Sequence, residues 1–379
     1  MVNNKSGPKK RKRPINSSKN NKINPYEPQD EGFISDCSTI SSEHDYEDDI
    51  IHPPATKKQK LSHAPPANNI LDLINIGKSN FLYNNIDNNM LNSIIPYLEE
   101  LNNMIGLESL KKSIFYQIIY YLQNMHLRNK NEEYLHTVIT GPAGCGKTTV
   151  AKIIGNIYKN MGILSRKGKF TAAYRQDFVG EYVGHTAPKT QNLLESCLGG
   201  VLFIDEVYAL GSGEKNKDSF SKEAIDTLNA FLSDHKNDFC CIIAGYENEI
   251  KKCFFSVNSG LERRFPWIHR IGEYSSENLV DMTFKMILKT KWEFNIQRSK
   301  FIKLFDDNKD LFKNSGGDIE TFITKCKMVH SKRVFSLDNE QKFILTEEDL
   351  ENATKMLKDN KLEIIKKEED NFSRTMMYI

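Results

Sequence analysis

The chain has 379 residues and a net charge of +2, with 39% apolar and 27% charged side chains. That length predicts two or three folded units, and a mean hydropathy of −0.53 predicts that part of the chain stays unfolded. Near-neutral charge argues against a wholesale polyanion binder. No run approaches the roughly 18 apolar residues of a membrane helix, and no apolar segment follows the basic start, so neither a membrane span nor a secretory signal is expected.

Residues 1–24 carry eight basic side chains and no acidic one, and residues 27–49 carry nine acidic side chains and no Lys or Arg. Such blocks bury too little apolar area to offset chain entropy, so 1–68 is predicted to be a disordered tail. Within it, Lys9-Lys10-Arg11-Lys12-Arg13 stands between Pro8 and Pro14. Five accessible cations suit the acidic groove of a nuclear import receptor, which predicts a nuclear location, with the cytoplasm as the default without it. The alternative is a solvated basic arm that touches nucleic acid. Seven cysteines, at 37, 145, 197, 240, 241, 253 and 326, form no zinc-ligand spacing, which predicts free thiols in a reducing compartment.

From Ile70 the apolar residues Leu71, Ile74, Leu82, Ile86, Leu91, Ile94, Ile95 and Leu98 repeat at helical spacing, so 69–99 reads as a helical linker. A longer helix is expected from about Leu107 to Leu127. Strands and helices then alternate to about Ile271, the pattern of a parallel sheet with crossover helices. After Ser275 only helical periodicity is visible. The expected organisation is therefore an α/β nucleotide-binding domain over 100–273, a small helical lid over 274–368 and a terminal tail over 369–379.

The strand-like run Leu135–Thr140 leads into Gly141, Pro142, Ala143, Gly144, Cys145, Gly146, Lys147, Thr148 and Thr149, and then a helix pattern. This is the phosphate-binding G-x-x-x-x-G-K-[ST] loop in its strand–loop–helix setting. Its glycines let backbone N–H groups turn toward phosphates, and the following helix N-terminus adds positive partial charge. Lys147 is the expected β/γ-phosphate contact and Thr148 the expected Mg²⁺ ligand. Gly199–Ile204 forms a second buried run that ends on two carboxylates. Asp205 is expected to hold Mg²⁺, and Glu206 to act as general base on the attacking water. Phe239–Tyr246 reads as a third strand, lying between the first two. Arg263-Arg264, ahead of Phe265-Pro266, suits a finger reaching a neighbour's γ-phosphate.

Together these stretches resemble an AAA+ ATPase, and more narrowly the CbxX/CfxQ type. Ile105-Gly106-Leu107 matches the turn that contacts adenine in the family. Val179–Thr190 is similar to the family's pore-loop segment, which points to Tyr182, Val183 and Gly184 as an aromatic pore loop. The resemblance covers about 100–350, and the Asn-rich composition is similar to versions in large DNA viruses or unicellular eukaryotes. It implies a P-loop fold with a C-terminal helical lid, ATP and Mg²⁺ as ligands, and a ring, most often a hexamer. The implied work is ATP-driven remodelling of a protein client. A relative of this type acts on Rubisco, but nothing in the residues identifies that client. Two rival readings stand: a nucleic-acid-associated motor or loader, and an assembly scaffold with weak hydrolysis. The chain departs from the wider family at two places. Tyr246 stands near the sensor-1 position, and Ser315-Gly316-Gly317-Asp318 carries no sensor-2 arginine.

Overall fold

The computed structural model describes residues 59–129, 133–165, 168–211, 219–336 and 342–376. The basic run at 9–13 and the acidic block lie outside the described residues. A short parallel pair, β1 (Gln59–Leu61) and β2 (Phe81–Tyr83), brackets helix α1 (Ile70–Lys78). Helices α2 (Asn88–Asn102) and α3 (Glu108–Leu122) follow. Next come β3 (Thr137–Thr140), α4 (Lys147–Asn160), β4 (Phe170–Ala173), α5 (Arg175–Phe178) and α6 (Thr186–Ser196). The α/β region closes with β5 (Val201–Ile204), α7 (Ser219–Asp234), β6 (Cys240–Gly245), a short turn α8 (Glu247–Glu249) and β7 (Trp267–Arg270).

The five strands β3 to β7 pair in parallel in the order β4-β5-β6-β3-β7. The third motif strand, β6, therefore lies between β3 and β5, as the sequence predicts. Both faces of the sheet are covered, which is why β5 and β6 read as unbroken apolar runs rather than alternating ones. The alternation appears only in which core each residue joins. Ile139, Phe203 and Ile242 face α1 to α4, whereas Val138, Leu202 and Ile243 face α6 and α7.

The segment 69–99 is packed into this core rather than lying outside it as a linker. Ile94 and Leu98 of α2 are fully buried against the α4 side of the sheet. The Ser93 hydroxyl donates to the Asn160 carbonyl at 2.7 Å, and the Asp87 N–H donates to the Leu122 carbonyl at 3.0 Å. The helical spacing was interrupted at Phe81–Tyr83, which forms β2, and Leu71 faces solvent.

The C-terminal region holds α9 (Ser276–Lys289), α10 (Arg298–Asp307), α11 (Gly316–Arg333) and α12 (Glu347–Met376). Its core is aromatic: Phe305, Phe312 and Phe322 meet edge to face, with centroids 4.6 to 6.0 Å apart. Two departures from the all-helical expectation appear. Strands β8 (Glu293–Phe294) and β9 (Ile344–Leu345) pair in parallel, and at two residues each they are too short to leave a periodic signal. Helix α12 runs past the expected end at 368 to Met376. Asp349 ties α11 to α12. Burial works against its carboxylate, yet bonds from Arg333, Thr346 and His330 hold its pKa down at about 2.

A packed α2 makes a different prediction from a linker. Leu98→Ala should cost about 2–5 kcal/mol in urea unfolding, the range for emptying a buried leucine site. A change near zero would mean that α2 is not part of the core.

Candidate nucleotide site

Strand β3 ends at Thr140, and the chain turns sharply into α4. Gly144 and Gly146 take positive φ, +67° and +93°, which side-chain-bearing residues rarely adopt. Lys147 opens α4 and is only 7% exposed. Its ammonium donates to the carbonyls of Gly141 at 3.2 Å and Pro142 at 3.0 Å. It also lies 5.2 Å from the centroid of the Tyr246 ring.

Parallel pairing brings the end of β5 beside this loop. The Thr148 hydroxyl donates to Asp205 Oδ2 at 2.9 Å, and Asp205 Oδ1 accepts the Glu206 N–H at 3.0 Å. Glu206 has φ +48°, which turns it away from the strand direction. Its Oε2 is buried with no hydrogen-bond partner among the described residues. Burial raises its pKa above the ordinary carboxylate range; Lys147 pulls it down and Asp205 pushes it up. A part-buried carboxylate with an unsatisfied oxygen is poised to accept a proton.

The expected adenine turn arrives from the other side. Gly106 and Leu107 have φ +66° and +64°, and a side chain at Gly106 would meet the Tyr274 ring at 3.1 Å. The Tyr274 hydroxyl donates to the Cys145 carbonyl at 3.0 Å, so this residue links the phosphate loop to the start of the helical region. Pro142, Ala143, Tyr246, Tyr274, Asn314 and Ser315 share the lining of a cavity of about 760 Å³. The stretch at the sensor-2 position presses on the loop itself. A side chain at Gly144 would overlap the Asn314 carbonyl oxygen and stand 3.0 Å from the Gly317 nitrogen. Lys327, further along α11, contacts Trp292 and Thr290.

The remaining sequence candidates stand apart from this cluster. Arg264 is tied within its own domain, donating from Nε to Ser233 Oγ at 2.7 Å and from Nη1 to the Gly260 carbonyl at 2.5 Å. Arg263 is exposed. Tyr182 and Val183 are 66% and 88% exposed, and Gly184 has φ +83°. The loop's base is fixed instead: the Gly180 N–H donates to Thr186 Oγ1, and Lys189 donates to the Gln176 and Val179 carbonyls. Sequence reasoning missed Tyr274 and Asn314. The only available signal was their place, just after the last strand of the sheet and just before a helix.

Residues 137–266 match the model for the ATPase family associated with various cellular activities (AAA). The chain is 43% identical over 243 residues to the putative cfxQ-like protein R730 of Acanthamoeba polyphaga mimivirus, covering 64% of this chain and 59% of that protein. It is 33% identical over 261 residues to the CfxQ homolog of Pyropia yezoensis, covering 67% of this chain and 85% of that protein. The chain belongs to the CfxQ type of AAA+ ATPases. The FIGL-1 AAA domain in complex with ADP shares the fold, with a TM-score of 0.51 at 16% identity over 67% of this chain and 83% of that one. The match spans about three fifths of the mimivirus protein, 59% of its length.

In this CfxQ-type chain the contact between Gly144 and the helical region is backbone against backbone, and it is testable. Gly144→Ala should lower thermal stability, by about 1–2 kcal/mol for the left-handed backbone alone. Gly317, whose added side chain meets open space, is the control. Gly317→Ala should be neutral or stabilising by up to about 1 kcal/mol.

Proposed function

We propose that this chain is a Mg²⁺-dependent ATPase that works as a ring, with a hexamer as the expected form, and that it remodels a protein client. The observation that carries the reading is the convergence of Lys147, Thr148, Asp205 and Glu206 at one sheet edge beside a glycine-rich turn. Lys147 is placed to leave the Gly141 and Pro142 carbonyls for the β- and γ-phosphates. Thr148 and Asp205 offer hard oxygen donors 2.9 Å apart. One hydroxyl and one carboxylate suit Mg²⁺, which is usually held by one or two carboxylates together with phosphates. The ion neutralises phosphate charge when bound with nucleotide. Glu206 takes the proton of the attacking water on its unpaired oxygen.

The arginine pair completes the reading in trans. Arg264, braced by Ser233 and Gly260, is the finger for a neighbouring subunit's γ-phosphate, with the exposed Arg263 beside it as the alternative. Tyr182 and Val183 supply the client contact. An exposed aromatic ring on a loop anchored at its base grips an extended chain by apolar contact, without reading its sequence. This favours a protein client over nucleic acid.

Lys147→Ala should lose ATP binding. Glu206→Gln should still bind ATP but turn over about 10²–10⁴-fold more slowly. Steady-state phosphate release and equilibrium nucleotide binding measure both; wild-type turnover in Glu206→Gln would refute the base assignment. As a test of the client reading, Tyr182→Ala should abolish stimulation of turnover by an unfolded protein chain without lowering the melting temperature. Stimulation by single-stranded DNA in its place would favour the nucleic-acid motor.

A further inference from the structure

The Lys147 ammonium carries three donors and no acceptor. Two of them are taken by the Gly141 and Pro142 carbonyls. The ring of Tyr246, 5.2 Å away, is within the roughly 6 Å over which a cation and an aromatic face attract. Lys147 is largely out of water, which strengthens such a contact. Glu206 attracts Lys147 electrostatically without pairing with it. Asp205 is occupied by Thr148 and by the Glu206 N–H, and no ion pair to Lys147 occurs among the described residues.

The ring is held in place from behind. Tyr208 stands 6.0 Å from Tyr246 with a 34° tilt between the ring planes. Gly245 makes room for it: a side chain there would meet the Tyr208 ring at 3.0 Å. Tyr208 belongs to the short helical turn Val207–Leu210, which follows Glu206 directly. A continuous line of contacts therefore runs from Lys147 through Tyr246 and Tyr208 to the turn that carries Glu206.

We propose that Tyr246 is a positioning residue for Lys147, its ring face competing with the β- and γ-phosphates of a nucleotide for the ammonium. The proposal rests on the nucleotide reading of the loop and deepens it. The same ring packs on Tyr208, in the turn that follows Glu206. In this arrangement the residue at the sensor-1 position answers to the lysine rather than to the phosphate itself.

The test compares wild type, Tyr246→Phe and Tyr246→Leu by calorimetric titration with ADP, and with AMP, which lacks the β-phosphate. Tyr246→Leu should bind ADP about 2- to 30-fold more tightly, the range from an exposed to a desolvated contact of this type. Tyr246→Phe keeps the aromatic face and should match wild type, and AMP affinity should not change in either variant. Tyr246 is 40% exposed, so the substitutions are accessible to folding; a melting curve checks this, and Tyr246→Gln serves if the leucine variant melts early. Weaker ADP binding in Tyr246→Leu, or an equal change in the phenylalanine variant, would overturn the proposal. Wild-type ADP affinity in Tyr246→Leu would sink it alone, whereas failure of the wild type to bind ADP would sink the nucleotide reading with it.

Discussion

Parallel pairing of β3, β5 and β6 sends all three carboxyl ends to one edge of the sheet, and the proposed chemistry depends on that direction. The phosphate loop leaves β3, the Asp205–Glu206 pair leaves β5, and Tyr246 leaves β6. Their side chains meet although Thr148 and Asp205 are 57 residues apart in the chain. A sheet buried on both faces has no freedom to slip register, because a one-residue shift would exchange its two cores. The alternation of Leu202 and Phe203 between those cores shows how the register is held.

Much of this was legible in the residues. Strands β5 and β6 are apolar runs and β3 is a fully buried one, and each ends on chemically distinctive residues, so strand and motif confirm each other. The helical hairpin over 70–102 was not legible as core. An amphipathic face looks the same whether it packs on α4 or on another molecule, and only the burial of Ile94 and Leu98 decides between them. The pair β8–β9 falls below any periodic signal. The contacts of Lys147 with Tyr246, and of Arg264 with Ser233 and Gly260, depend on side-chain direction, which spacing does not encode.

The helical region reaches the phosphate loop by main chain rather than through an arginine. Asn314 and Gly317 crowd Gly144, and Tyr274 holds the Cys145 carbonyl. A close approach of two backbones tolerates little displacement on either side. The shape of the loop and the seating of α11 are therefore coupled sterically at a point where many relatives in the wider family use a charged side chain.

Cys145 adds a chemical consequence. Its sulfur sits inside the loop, where a side chain on Gly141 would meet it at 2.8 Å. Burial raises its thiol pKa, and the nearby Lys147 offsets this only in part. The thiolate is the form that oxidants and alkylating agents attack, so a buried, protonated sulfur is a poor target. The chain thus carries a poorly reactive cysteine at the heart of its phosphate loop, and among the cysteines of the described residues Cys253 is the least buried.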